Sequence, residues 1–251
     1  MRTYVVTGSA SGIGAATAKR LSSAGHRVIG VDLRDADVSA DLSTEAGRAA
    51  MVAGVAAMVD GIDAVVACAG ISADGPATIA VNYFGAVATL EGLRPLLAGS
   101  AAPRAVVIAS VASILGAEED VVDACLAGDE PAALDRMEAN PAMAYLTSKT
   151  ALARWVRRTA PSPEWAGAGI PLNAIAPGTV RTPMTAELLA AEGGLEMVDT
   201  AVPMPLNGHA GPEDVAPLLE FLTSVENSHV TGQVVFVDGG ADAVLRGDRT
   251  W

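Results

Sequence analysis

The 251-residue chain carries 16 Lys and Arg against 29 Asp and Glu, a net charge of −13, and half of its residues are apolar while only 4% are aromatic. A field of that sign repels phosphate backbones and anionic bilayers, which excludes nucleic acid and membrane surfaces as partners. Cys68 and Cys125 make neither a disulfide framework nor a zinc pattern, and no apolar run is long enough to span a bilayer, so a soluble cytoplasmic protein without a metal is expected.

The first residues already read as a strand, "TYVVTG" (Thr3–Gly8), so no N-terminal signal is expected. Ile13–Ala24 has helical periodicity and Gly25 stops it; "RVIGVD" is a second strand ending at Asp32. Ser43 is placed to cap an alanine-rich helix running to about Met58. "DAVVACAG" and "RAVVIAS" are two further strands, with a helix from about Val81 to Leu97 between them. Gly116–Pro141 stands apart: it is acidic, and Val121, Val122, Leu126, Leu134 and Met137 are spaced for helices. Gly128 suits the end of one helix and Pro131 the first position of a second, with Asn140-Pro141 ending it, so the stretch reads as an inserted helical hairpin. "AYLTSKTALARWVRR" is helical, with Arg154, Arg157 and Arg158 as a solvated face. "IPLNAIAPG" and "QVVFVDGG" are late strands, with a helix near Glu213–Leu222 before the last. His26, His209 and His229 are scattered and have no partner one turn away, so structural or surface roles are expected.

Strand after helix after strand predicts an α/β domain with a parallel sheet and right-handed crossovers. No repeat or composition break marks a second domain. The expected architecture is a single Rossmann-type, doubly wound sheet over 1–251 with helices on both faces, carrying the inserted hairpin at 116–142.

"VTGSASGIG" closes the first strand and opens the first helix. Gly8 suits a tight turn off the strand, Gly12 lets backbone N–H groups approach a pyrophosphate, and Gly14 lets the helix pack close to the sheet. With Ser11 and Ile13 between them, they put the unsatisfied donors of a helix N-terminus against phosphates. The spacing is G-x-x-x-G-x-G, and its position between strand and helix is what gives the triplet weight. Asp32, at the end of the second strand, is placed to accept from an adenosine ribose and to repel a 2′-phosphate. The Ser9–Ser11 segment offers no cation for such a phosphate, although Arg34 lies close by. NAD is favoured over NADP; the alternative for Asp32 is an ordinary strand-end turn residue.

With these pieces in place, the chain resembles the short-chain dehydrogenase/reductase family over nearly its whole length. The residues that carry the resemblance are "TGSASGIG", "CAG" at Cys68–Gly70, "VNYFG" at Val81–Gly85, "IASVAS" at Ile108–Ser113, "YLTSK" at Tyr145–Lys149 and "NAIAPGTVRTPM" from Asn173. "GHRVIGVDLRDADVSADLST", the insertion before Tyr145 and the "VDGGADAVLR" tail are similar to its bacterial NAD-dependent 3α-hydroxysteroid dehydrogenase/carbonyl reductase subgroup. The resemblance implies Tyr145 as general acid/base and Lys149 as the cation that lowers its pKa and binds the nicotinamide ribose. It implies Ser110 as the holder of the substrate oxygen and Asn82 as a positioner of water in a proton relay. Asp41 and Leu42 match the segment against adenine. Ala69 and Gly70 keep a backbone role only, because Ala67-Cys68-Ala69-Gly70 stands where many members carry Asn-Asn-Ala-Gly. Pro177, Gly178, Val180 and Thr182 match the loop over the nicotinamide.

The chemistry explains the set. A tyrosine with a pKa of about 10 is too weak a base near neutral pH, and an ammonium within about 4–6 Å favours its phenolate. Tyr145 and Lys149 are one turn apart and share a helix face. A hydroxyl at a strand end, Ser110, can donate to an oxygen on which charge develops. Taken singly, Tyr145 and Lys149 read equally as exposed helix residues, Ser110 as a turn cap and Asn82 as a helix-start residue. Residues 182–205 match the family's substrate lid, and Leu188, Leu189, Leu195, Met197 and Met204 read either as an apolar wall or as core.

The expected activity is NAD-dependent interconversion of a hydrophobic secondary alcohol and its ketone, with a 3α-hydroxysteroid as the best substrate. A terpenoid, cyclic or aryl alcohol is the alternative, and a non-catalytic NAD-binding regulator the remote one. The insertion lies between the helices that most of the family uses for one dimer interface, so a homodimer through another surface, the C-terminal one, is expected, with a tetramer as the larger option.

Overall fold

Alternate residues of a strand point to opposite faces of a sheet, and here both faces are apolar. The computed structural model describes residues 1–249, with seven strands: β1 (Thr3–Thr7), β2 (Arg27–Asp32), β3 (Val38–Ser39), β4 (Ala64–Ala67), β5 (Arg104–Ile108), β6 (Leu172–Pro177) and β7 (Val234–Val237). All pair in parallel, in the order β3-β2-β1-β4-β5-β6-β7. The helices are α1 (Gly12–Ser23), α2 (Glu45–Met58), α3 (Pro76–Ile79), α4 (Ala86–Leu97), α5 (Glu119–Ala127), α6 (Glu130–Met137), α7 (Ala144–Thr159), α8 (Pro183–Ala190), α9 (Gly194–Ala201), α10 (Pro212–Thr223) and α11 (Ala241–Arg246).

Tyr4, Val6, Val66, Val106 and Ile175 meet Leu21 of α1 and Val215, Leu219 and Leu222 of α10. Val5, Val65, Val107 and Ala174 face the opposite way, onto Met51 and Val55 of α2, Leu90 and Leu93 of α4, and Leu152 and Val156 of α7. A parallel sheet needs cover on both faces, and these two layers supply it. The fold is the doubly wound α/β architecture that the alternation of elements predicts.

The acidic stretch is a helical hairpin, α5 and α6, and it belongs to the main core. Val121, Val122, Ala124 and Cys125 of α5 and Ala133 and Met137 of α6 are buried in the same cluster as α4 and α7. Gly128 takes the left-handed conformation at the end of α5 (φ +75°), the role for which glycine is favoured. The Asp129 carboxylate accepts from Ala132 N–H, so α6 starts at Glu130 and Pro131 occupies its second position, not its first. α6 ends at Met137, and Pro141–Met143 forms a 3₁₀ turn that delivers the chain to α7.

Three local readings shift. Thr44, not Ser43, caps α2: its hydroxyl accepts from Gly47 N–H at 3.0 Å, while Ser43 is tied to the Asp41 carboxylate. The helix expected from about Val81 begins at Pro76, and its Ala80–Gly85 segment is a π-helix. Strand β3 and helix α11 went unread, because a two-residue strand and a six-residue helix carry too little periodicity.

Candidate active site

The winding of the chain reverses between β1 and β4, which is where a doubly wound sheet opens a cleft at the C-terminal ends of its strands. One cleft there is lined by Gly8, Ser11, Gly12, Ile13, Gly14, Asp32, Asp41, Leu42, Ala69 and Gly70 on one side. Ser110, Tyr145, Lys149, Pro177, Gly178, Val180 and Thr182 line the other. Of the catalytic and cofactor-binding residues expected from the sequence, Asn82 alone does not line it.

The glycine loop fits a dinucleotide through its lack of side chains. A Cβ on Gly14 would lie 2.0 Å from Gly8 O, and one on Gly8, at φ +68°, would lie 2.9 Å from Ala69 N. A Cβ on Gly12 would meet Thr182 Cγ2 at 3.3 Å, so the loop and the far wall of the cleft approach closely there. Ser11 is the extended residue that precedes α1, whose first N–H groups face the cleft. The Asp32 carboxylate accepts from Ala10 N–H (3.0 Å) with one oxygen and from Leu33 N–H (2.7 Å) with the other. Each oxygen keeps a lone pair for a ribose hydroxyl. These residues fit a nicotinamide dinucleotide.

At the other end, α7 and the end of β5 bring the polar groups together. Ser110 Oγ accepts from Ala112 N–H at 3.1 Å, so it does cap the turn after β5, and its own proton is left to donate on the cleft side, where the Tyr145 phenol also stands. Lys149 is buried; its Nζ donates to Ile108 O at 2.9 Å and lies 5.7 Å from the Tyr145 ring centroid. Its remaining N–H groups are available to the cleft. Asn82 sits one layer behind, fully buried in the π-helix. Its Oδ1 accepts from Ile71 N–H (2.8 Å), and its Nδ2 donates to Ile71 O (2.9 Å) and Ser148 Oγ (3.1 Å). It therefore clamps the backbone of Ile71, which does line the cleft.

Burial sets the acidities. It pushes the Tyr145 phenol above its ordinary value, against the lowering pull of the Ser110 hydroxyl, and it pushes the Lys149 ammonium down to about 8. The resemblance implies a lowered Tyr145; burial raises it here, because the same low dielectric disfavours both charged forms. The Cys68 thiol is pushed up to about 12 by burial, against the field of Lys149, so it is no nucleophile although it borders the cleft.

Thr7 was missed in the sequence. Its hydroxyl accepts from the N–H groups of Cys68 and Ala69, both at 3.1 Å, and so pins the Cys68-Ala69-Gly70 turn where side-chain amides are lacking. A threonine at a strand end is too common to signal this. Met184 was missed too. α8 starts beside the cleft, so its first turn, Pro183–Thr185, lines it. Leu188, Leu189, Leu195 and Met197 stand outside, three of them well exposed, and Met204 packs beneath Gly178 with its sulfur accepting from Thr179 N–H. The five-residue apolar wall is not formed. Thr185 Oγ1 ties this turn to Val180 O (2.7 Å) and to Thr182 N–H (3.1 Å).

Known proteins share this arrangement. The family model described as short chain dehydrogenase matches residues 2–122, and the one described as enoyl-(acyl carrier protein) reductase matches 132–242. The chain is 40% identical to a 3-alpha-hydroxysteroid dehydrogenase/carbonyl reductase of Comamonas testosteroni, with 98% of each protein covered. It is 34% identical to a cis-4-hydroxycyclohexanecarboxylate dehydrogenase of Sinomonas cyclohexanicum, with 97% of each covered. The crystal structure of a 3-alpha-hydroxysteroid dehydrogenase from Pseudomonas sp. B-0831 complexed with NADH is similar at a TM-score of 0.92 and 41% identity, covering 98% of this chain and 99% of that one.

Proposed function

The chain belongs to the short-chain dehydrogenase/reductase family, and from that premise we propose that it is an NAD-dependent oxidoreductase interconverting a hydrophobic secondary alcohol and its ketone, with a 3α-hydroxysteroid as substrate. The observation that carries the reading is the convergence of Ser110, Tyr145 and Lys149 at one end of a cleft whose other end is the glycine loop.

When bound, the nicotinamide would exchange a hydride with the carbinol carbon, and its oxidised ring would add a positive charge that favours the Tyr145 phenolate. The protein's own work is binding, orientation and one proton. Ser110 donates its free proton to the substrate oxygen. Tyr145 takes the hydroxyl proton during oxidation and returns it during reduction. Lys149, anchored on Ile108 O, offers its other N–H groups to a ribose. Asn82 holds Ile71 in place. Asp32 accepts from the adenosine ribose, and its charge would repel a 2′-phosphate, which supports NAD over NADP. Thr182 and the backbone of Pro177–Val180 close over the nicotinamide end. Residues 116–142 are the inserted unit of a single domain, and residues 182–205 act as the substrate lid. The working form is a cytoplasmic homodimer.

Reduction of NAD against a panel of steroid, terpenoid, cyclic and aryl alcohols tests the reading. The wild type is expected to turn over 3α-hydroxysteroids with a kcat/KM at least tenfold higher for NAD than for NADP. Tyr145→Phe is expected to lose turnover by at least 10³-fold while NADH binding persists. Retained activity in that variant sinks the assignment, and a preference for cyclohexanols would favour the cyclic-alcohol reading that the 34% relative supports.

A further inference from the structure

The adenine-side wall of the cleft has a support that comes from outside the nucleotide-binding half. Leu42 lines the cleft and is buried, and the chain around it is packed to contact. A Cβ on Gly85 would lie 3.0 Å from Leu42 Cβ, and one on Gly47 would lie 1.9 Å from Asp41 O. Two carbonyls of this segment, those of Leu42 and Ser43, accept from one side chain, Arg48 in the first turn of α2. Its Nε donates to Leu42 O (2.8 Å) and its Nη2 to Ser43 O (3.1 Å). The same guanidinium meets Glu130 of the inserted hairpin as a fork: Nη1 to Oε2 at 2.7 Å and Nη2 to Oε1 at 2.5 Å. The Arg48 side chain is 9% exposed and that of Glu130 27%, and the guanidinium lies 5.9 Å from the Phe84 ring centroid.

A planar guanidinium can make these four bonds at once, two of them as a fork on the carboxylate, whereas an ammonium has only three donors. A buried cation that loses its carboxylate is destabilised in place and turns toward water. In doing so it would let go of Leu42 O and Ser43 O. We propose that Arg48 and Glu130 are a positioning pair for the cofactor, through which the inserted hairpin holds the Asp41–Ser43 wall and so sets affinity for the adenine half of the dinucleotide. The inference rests on the reading that this cleft takes NAD. It gives the insertion a part in the site although α6 contributes no lining residue.

The test is equilibrium titration of the whole protein with NADH, AMP and nicotinamide mononucleotide, with unfolding midpoints measured in parallel. Failure of the wild type to bind NADH would count against the NAD reading itself. If the wild type binds, Glu130→Gln is expected to weaken NADH and AMP about tenfold and to leave nicotinamide mononucleotide within twofold. KM for NAD should rise, while kcat at saturating NAD and KM for the alcohol stay put. Glu119→Gln, which cuts the Glu119–Arg154 tie between α5 and α7 without touching Leu42, is the control and should leave all three affinities within twofold. Arg48→Lys repeats the measurement if Glu130→Gln does not fold, since it keeps the charge and loses the fork. Unchanged AMP affinity in a folded variant overturns the proposal. So does equal weakening in Glu119→Gln, because a general loosening of the hairpin would then suffice.

Discussion

Lys149 holds a charge at a price in stability that its position makes measurable. Its ammonium falls from 10.5 to about 8 on burial, so between those values the unfolded chain binds more protons than the folded one. Stability of the protein without cofactor therefore rises with pH through that window, and below pH 8 the burial penalty is present in full. Lys149→Met removes the titration. The variant is expected to be more stable than the wild type at pH 7, by at most about 3 kcal/mol, with the gap shrinking as pH climbs from 8 toward 10. Urea unfolding across that range checks it; a gap independent of pH would show that Lys149 is not held at a cost. Tyr145, Lys149 and Ser110 were legible in the sequence because they stand in short local motifs. Thr7 and Arg48 were not: Thr7 acts on backbone N–H groups far from it in the chain, and Arg48 joins two nearby carbonyls to a distant carboxylate, Glu130.

At the scale of the element, the glycine loop is tightly constrained. Gly14→Ala places a Cβ 2.0 Å from Gly8 O, which is backbone and cannot rotate aside. The first turn of α1 must then lift from the end of β1. We expect a loss of roughly 1–3 kcal/mol or more, as overpacking commonly costs, together with at least tenfold weaker NADH binding. Thermal unfolding with and without NADH measures both, and a wild-type response would mean that the loop has more slack than its contacts show. The lid illustrates the opposite case. Its apolar residues were countable in the sequence, but which of them reach the cleft depends on where α8 starts. Thr182 and Thr185 set that start by local hydrogen bonds, and the apolar residue placed at the cleft is Met184.

For the whole molecule, the hairpin covers surface that an assembly could otherwise use. α5 lies along α7, tied by Glu119–Arg154, and α6 packs on α3. Phe221, Val225 and Val244, near the C-terminal end, are exposed large apolar side chains. A homodimer by light scattering is expected. Removing 116–141 should change its assembly or leave it unfolded, while Phe221→Asp with Val244→Asp should give a folded monomer; a double variant that stays dimeric would place the interface elsewhere. What the sequence by itself determined was the alternation of the longer strands and helices, the hairpin and the motifs that bear the proposed site residues, because periodicity, turn residues and short motifs are local properties. Only the tertiary structure decided that the hairpin is core, that Glu130 meets Arg48 behind Leu42, that Asn82 sits behind the cleft wall, and that burial raises Tyr145 and lowers Lys149. Those outcomes depend on distance and dielectric between groups far apart along the chain, and neither is written in any local stretch of it.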